Sequence, residues 1–406
     1  MNRIELLAPA GNLEKAKTAI RYGADAVYVG GQAFSLRSRA SNFTLDQIRE
    51  LCAFAHEHDA RVHVTVNIIP HQADLKGLDE WLLALDEAGI DAIIAASPHI
   101  LNRAQELHVS YEKHVSTQHS SVNSRTAAFW AAHHMDRVVA GRECTMEELT
   151  QLASRSPIPV EAFVHGGMCI SFSGRCVLSN HLTNRDANRG GCAQSCRWKY
   201  HLYDEAGREL SLPDKLFSMS SKDLRGLRQV PDMIRAGIAS IKIEGRMKSA
   251  YYLATVVSVY RRLIDRVYAK DEITEADWQA MEAELLKAEN RPAGPGFLAG
   301  APDADMQLYR DTAEIITNEF VGYIVGEATD QGVPVQVRNR IELGQKFEVF
   351  GPGTSPAPIS IASFTDEQGN ELTVCNKPMQ VVWVKMEGPA PVHGMIRKVI
   401  ESRCSG

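Results

Sequence analysis

Four cysteines, Cys169, Cys176, Cys192 and Cys196, share the segment MCISFSGRCVLSNHLTNRDANRGGCAQSCRWKY with the spacing Cys-x6-Cys-x15-Cys-x3-Cys. Four thiolates either close the coordination sphere of a tetrahedral zinc ion or hold an iron-sulfur cluster. Cysteines used only as small apolar residues have no reason to bunch in a polar, glycine-rich loop. Zinc ribbons pair CxxC knuckles, and neither the x6 nor the x3 gap is one, but spacing alone leaves both metals open. Gly166, Gly167, Gly174, Gly190 and Gly191 let the backbone wrap closely enough for amides to donate to sulfur. The other four cysteines, Cys52, Cys144, Cys375 and Cys404, stand singly.

Around this loop stand further groups that could do chemistry. Asn67, Gln118, Arg142, His165, Glu244 and Arg246 each fall at the end of a predicted strand, and Lys242 shares a strand side with the last two. His165 lies four residues before Cys169 and is expected to hang over the cysteines, shuttling a proton or donating to sulfur; a structural histidine is the plainer alternative. Glu244 and Arg246 read as a general base and a carboxylate clamp, or as an internal ion pair. Arg37 and Arg39, in GGQAFSLRSRASNF, complete with Arg142 and Arg246 a pool of guanidiniums able to grip planar carboxylates. Arg185, Arg189, Arg197 and Lys199, interleaved with Trp198 and Tyr200, offer cations for phosphates and a stacking face for a base, or simply pack the loop. No G-x-S-x-G or H-E-x-x-H occurs, so hydrolysis has little chemical support.

The elements that must position these groups follow a regular rhythm. Eight short apolar runs begin at Ile4, Ala26, Arg61, Asp91, His114, Asp136, Pro159 and Ser240, separated by amphipathic stretches. Thr44 with Gln47 and Thr145 with Glu148 predict capping boxes, and Gly23 and Gly89 predict helix ends. Eight such units predict an α/β fold, a (β/α)8 barrel over residues 1–295, and a loop after a barrel strand lies at the C-terminal face where barrels keep their chemistry. The rhythm breaks between Gly166 and about Leu216, so the cysteine loop, 165–200, is an insertion at that face, followed by a hairpin in YHLYDEAGRELSL. After a helix in TEADWQAMEAELLKAEN, the Pro/Gly-rich NRPAGPGFLAGAP marks a boundary. Six alternating runs then predict a small antiparallel β-barrel at 305–390: EFVGYIVGEAT, VPVQVRN, KFEVFG, ISIASF, NELTVCN and MQVVWVKM.

These motifs carry a resemblance. VHGGMCISFSGRCVLSN, NRGGCAQSCRWKY, SIKIEGRMKSAYY and the N-terminal LLAPAGNLEKAKTAIRYGADAVYVGG resemble the signature of the peptidase U32 family over most of the chain. Members named as collagenase-like peptidases lack an evident protease constellation, whereas better understood relatives are oxygen-independent hydroxylases with a 4Fe-4S cluster on four cysteines. RDANRGGCAQ and the C-terminal β-domain resemble the branch that hydroxylates the wobble uridine of certain tRNAs at C5, with prephenate as hydroxyl donor. The resemblance implies Cys169, Cys176, Cys192 and Cys196 as cluster ligands, tRNA as partner, a dicarboxylate as co-substrate and room for a complex with a paralogous family member. His165, Glu244 and Arg246 then fall to catalysis, and Arg37, Arg39, Asn67, Gln118, Arg142 and Lys242 to substrate binding. Arg185, Arg189, Arg197, Trp198 and Lys199 fall to RNA, which the C-terminal domain would help position. Other branches hydroxylate a ribosomal RNA cytidine or a ubiquinone precursor ring, and a U32-type peptidase is the rival class.

Composition limits the partners. The chain of 406 residues carries 44 Lys plus Arg against 50 Asp plus Glu, so a polyanion must be met by a local patch and not by a global field. No stretch approaches the roughly 18 apolar residues of a membrane helix, and the start lacks a long apolar leader, which predicts a cytoplasmic protein with reduced thiols.

Overall fold

The computed structural model describes residues 3–36, 42–212, 216–288, 291–308 and 318–399. Arg37, Arg39 and Cys404 lie outside these.

The β-branched runs become strands β1 (Glu5–Pro9), β2 (Ala26–Gly30), β3 (Arg61–Thr65), β4 (Ala92–Ala95), β5 (Glu112–Val115), β6 (Arg137–Val139) and β7 (Val160–Gly166). β8 (Asp223–Arg225) lies antiparallel against the end of β7, and β9 (Ser240–Ile243) follows. Parallel pairings run from β1 through β7, then β7 to β9 and β9 back to β1. Eight parallel strands therefore close a (β/α)8 barrel, and they are the eight the sequence pattern predicts.

Helices α1 (Leu13–Arg21), α2 (Leu45–His56), α3 (Leu78–Glu87), α4 (Pro98–Glu106), α5 (Ser124–Ala132) and α6 (Met146–Arg155) form the outer ring. Both predicted capping boxes are present, at Thr44 and Thr145, each satisfying two backbone donors. Gly23 and Gly89 take φ of +106° and +77°, left-handed conformations that a side chain would strain. The inserted loop holds α7 (Leu178–Thr183), and its hairpin closes through the Tyr203–Glu209 bridge. α8 (Val230–Arg235) returns the chain to β9, and α9 (Ala250–Ala269) and α10 (Glu275–Leu286) complete the flank, with β10 (Ala293–Gly294) beside β8.

The barrel's inner face is not all apolar. Leu7, Ala26, Tyr28 and Ile94 form a small inner cluster, below which a charged layer crosses the barrel. The Lys242 ammonium donates to Glu161 at 2.8 Å, Arg137 donates to Glu161 at 3.2 Å and to Glu5 at 2.6 Å, and the His63 and His114 rings meet edge to face at 5.0 Å.

The C-terminal domain is a second closed barrel. β11 (Asn318–Ile324), β12 (Val333–Val337), β14 (Phe347–Phe350), β15 (Ala357–Thr365), β18 (Val381–Glu387) and β19 (Met395–Val399) close it in the order β14-β19-β11-β12-β18-β15 and back to β14, every pair antiparallel. The short β13 (Ile341–Glu342) pairs with β17 (Val374–Cys375), and β16 (Glu371–Leu372) edges β15. The expected NELTVCN strand thus splits into two fragments outside the ring. The sixth barrel strand is β19, beyond the expected boundary at 390; its sequence MIRKV breaks strict alternation because Arg397 is also buried.

Candidate functional site

β7 delivers the chain to the mouth. Its pairing with β9 shifts register between Phe163 and His165, a bulge that gives β7 one extra residue and turns the following side chain to the other face. His165 consequently faces the outer helix α9, 2% exposed, with its Nδ1 3.2 Å from the Tyr260 hydroxyl and its ring near Tyr252. It does not hang over the cysteines as simple alternation predicts. Burial, then the charges of Arg225 and Lys248, push its pKa down to about 3, so it is neutral at physiological pH. Gly166 follows with φ of +104°, and a Cβ there would collide with the Glu244 carbonyl oxygen, so glycine alone permits this exit from the strand.

Glu244 sits half-buried at the end of β9, its amide donating to the His165 carbonyl at 2.8 Å and its carboxylate accepting the Gly167 amide at 3.3 Å. The Arg197 guanidinium flanks Gly167 as well: a Cβ on that glycine would stand 3.2 Å from both Arg197 Nη2 and Glu244 Oε2. The structure thus brings together a carboxylate of the last barrel strand and a cation of the cysteine loop.

Cys169 and Cys192 are exposed, and Cys176 and Cys196 half-buried. The Cys196 thiol is pushed up by burial and then by Cys169, with Cys192 and Cys176 acting in the same direction, so the four share one neighbourhood. No group of three or more His, Cys, Asp or Glu side chains among the described residues is gathered as a single-ion site. The loop is fastened to the barrel: the Ser173 amide donates to Glu143 at 2.8 Å, the Ser120 hydroxyl to the Ser173 carbonyl at 2.6 Å, and the Ile69 amide to the Asn188 carbonyl at 3.0 Å. Gly174 lies so close to the Gln118 carbonyl that no side chain would fit.

Of the predicted arginine clamp, Arg37 and Arg39 lie outside the described residues, and Arg142 and Arg246 are each engaged by their own partners. Arg246 is 5% exposed; its guanidinium donates to Leu36 O at 3.3 Å and to Asn42 Oδ1 at 2.9 Å, with Ser35 and Thr65 hydroxyls also in reach. It lies across Gly30, where a Cβ would collide with it. Arg246 therefore holds both Leu36 and Asn42. Arg142 donates to the Gly167 carbonyl at 2.5 Å and stacks over the Phe163 ring at 4.0 Å. Asn67 accepts from the Leu36 amide at 3.1 Å, so Leu36 is held by Asn67 as well as Arg246. Lys242 belongs to the charged layer inside the barrel, its ammonium over the Tyr28 ring at 4.5 Å, because burial there is affordable only beside Glu161.

Of the basic-aromatic strip, Arg189 is engaged by Asp74 through two bonds of 3.0 and 2.7 Å. Trp198 is 44% exposed, Lys199 exposed and Arg185 half-buried. Phe172, Val177 and Leu182 add exposed apolar surface to the loop. Sequence reasoning missed Glu143, although it directly follows a strand-end arginine, and missed the charged layer of Glu5, Arg137 and Glu161, whose inward period-two spacing across strands was available.

A model of Peptidase family U32 matches residues 11–308, and one of the Peptidase family U32 C-terminal domain matches 317–397. The chain is 43% identical to the tRNA hydroxylation protein P1 of Bacillus subtilis (strain 168), over 97% of this chain and 94% of that protein. It is 32% identical to the tRNA hydroxylation protein P of Escherichia coli (strain K12), over 87% of each. It is 37% identical to the 23S rRNA 5-hydroxycytidine C2501 synthase of the same organism, over 80% of this chain but 49% of that protein. With both domain models matched and the cysteine loop at the barrel mouth, this chain belongs to peptidase family U32.

Proposed function

We propose that the chain is an oxygen-independent tRNA hydroxylase that forms 5-hydroxyuridine at the wobble position, taking its hydroxyl from prephenate with a 4Fe-4S cluster on Cys169, Cys176, Cys192 and Cys196. The observation that carries this is the convergence of all four thiols on one neighbourhood at the mouth, in a chain 43% identical to a tRNA hydroxylation protein along nearly its full length. The donor set fits the cluster: four soft thiolates without a histidine or carboxylate among them. When bound, such a cluster supplies electrons or a Lewis-acidic iron.

The chain's own residues would do the rest. Glu244 stands beside the loop as a base able to take a proton, with the Arg197 guanidinium close by. Arg37 and Arg39 lie in sequence between the two points that Arg246 holds, and would meet the donor's carboxylates. His165, enclosed and neutral, keeps the exit of β7 in place. Arg185, Lys199 and Trp198 offer the charge and stacking face an unpaired loop of RNA requires, with the C-terminal domain positioning its body. The test is Cys196→Ala beside Cys52→Ala, purified without oxygen. The first is expected to lose iron, acid-labile sulfide and tRNA hydroxylation, and the second to keep all three; equal iron in both would refute the cluster assignment.

A further inference from the structure

Between the two barrels lies a cavity of about 390 Å³, walled by α9 and α10 on one side and by Ser355 and Pro356, which lead into β15, on the other. Its volume falls within the roughly 300–1,000 Å³ of small-molecule pockets. α9 starts at the mouth after β9 and runs back along the barrel, so Arg262 lies about 18 Å below its start, at about 1.5 Å per residue. The charges on the cavity wall are answered, with one exception. Arg266 pairs with Asp277 at 2.9 and 3.1 Å. Glu284 accepts from Arg397 at 2.9 Å and lies 3.0 Å from the Lys287 ammonium. Arg262 has no carboxylate at ion-pair distance among the described residues: its Nε donates to the Ser258 carbonyl and its Nη1 to the Ser355 hydroxyl oxygen, both at 3.3 Å. Its Nη2 makes no bond there, and it is not among the polar atoms sealed from solvent. Burial pulls the Arg262 pKa down, against a rise from Glu284 and with a further fall from Arg397, so its charge is under-compensated. Ser355 is exposed and accepts from Arg262, which leaves its own hydroxyl hydrogen to donate. Two available donors, on Nη2 and on the hydroxyl, thus stand one hydrogen bond apart.

We infer that this seam is a binding site for a small organic carboxylate with an apolar body, one oxygen accepting from Arg262 Nη2 and the other from the Ser355 hydroxyl. The carboxylate supplies the negative charge that Arg262 lacks, and its two oxygens match the two donors. Ala280, Met281 and Pro356 on the same wall receive the apolar body. A nucleic-acid backbone is held by a run of cations, whereas one unpaired guanidinium stands here, so the occupant is a small molecule. A neutral ligand would leave the Arg262 charge unanswered. The bound carboxylate touches α9 and the C-terminal domain at once and so ties the two barrels together, away from the cysteine loop. This is the position of an effector and not of a substrate.

The experiment titrates the full chain, labelled at its methionine methyls, and follows the Met281 resonance, which is identified by its absence from Met281→Leu. The probes are 3-phenylpropionate, its uncharged amide and inorganic phosphate. The Met281 signal is expected to move with 3-phenylpropionate and to need at least about tenfold more of the amide, the loss of one charge-assisted contact. Phosphate, which has no apolar body, should leave the signal in place. Arg262→Leu should weaken 3-phenylpropionate about tenfold or more, and Ser355→Ala about twofold to tenfold. Ser355 is exposed, so its replacement leaves the fold intact and decides the matter should Arg262→Leu unfold. A Met281 signal indifferent to 3-phenylpropionate, an equal response to the amide or to phosphate, or wild-type affinity in Ser355→Ala overturns the assignment.

Discussion

At the scale of single residues, the proposed function gives Arg246 a role through the residues it holds. Its planar fork reaches Leu36 O and Asn42 Oδ1 together, which a lysine ammonium cannot do. Each charge-assisted bond contributes roughly 1.5–3 kcal/mol, so Arg246→Lys is expected to raise the donor concentration for half-maximal hydroxylation by about one to two orders of magnitude. Iron content and tRNA affinity should stay at wild-type values. A donor response like wild type would show that Arg246 does not act through residues that bind the donor. The residue types at this mouth were legible in the sequence, but their partners were not. Period-two spacing places Lys242, Glu244 and Arg246 on one side, yet β9 ends at Ile243 and Gly245 takes φ of +150°, so the three diverge into the barrel layer, the cysteine loop and the β2 loop.

At the scale of elements, strands β3, β5 and β7 hide three neutral histidines. Burial is the main cause of the low pKa of each, with further lowering by His114 and Arg137 at His63, by Arg137 at His114, and by Arg225 and Lys248 at His165. The unfolded chain protonates such groups near pH 6.5 and the folded chain does not until far lower, so stability is complete above that value and lost as pH falls through it. One unit below, each histidine costs about 1.4 kcal/mol, and three together about 4 kcal/mol. Denaturant unfolding at pH 7.5 and 5.5 should show that loss, and replacing His63 by a neutral residue of similar volume should reduce it; a pH-independent midpoint would contradict the account. The strands themselves were readable because each is a short β-branched run between capped helices. The bulge that turns His165 outward was not, since a one-residue register shift leaves no mark on composition. Nor was β19, where a buried arginine masks the alternation.

At the scale of the molecule, the two barrels are joined by a buried contact and not merely by a linker. Arg397, 0% exposed, donates to Glu284 at 2.9 Å, Glu348 at 2.7 Å and the Tyr251 hydroxyl at 3.2 Å. Tyr251 stacks on Phe320 at 5.3 Å, and the Tyr22 hydroxyl donates to the His393 carbonyl at 2.8 Å. Arg397→Ala leaves Glu284 buried with one cation fewer and is expected to destabilise the fold by about 3–5 kcal/mol, seen as an earlier, split unfolding transition. An unchanged transition would show that the contact adds nothing. This architecture sets the C-terminal barrel on the flank of α1, α9 and α10. The claim that unites these features is that the RNA is tRNA and the product a hydroxylated uridine. Mass spectrometry of nucleosides from total tRNA tests it most directly. A strain lacking this protein is predicted to lose the uridine derivative heavier by one oxygen, to regain it with the wild-type chain, and not to regain it with Cys196→Ala. Full retention of that nucleoside in the deletion strain, or loss of a hydroxycytidine from ribosomal RNA in its place, would contradict the account.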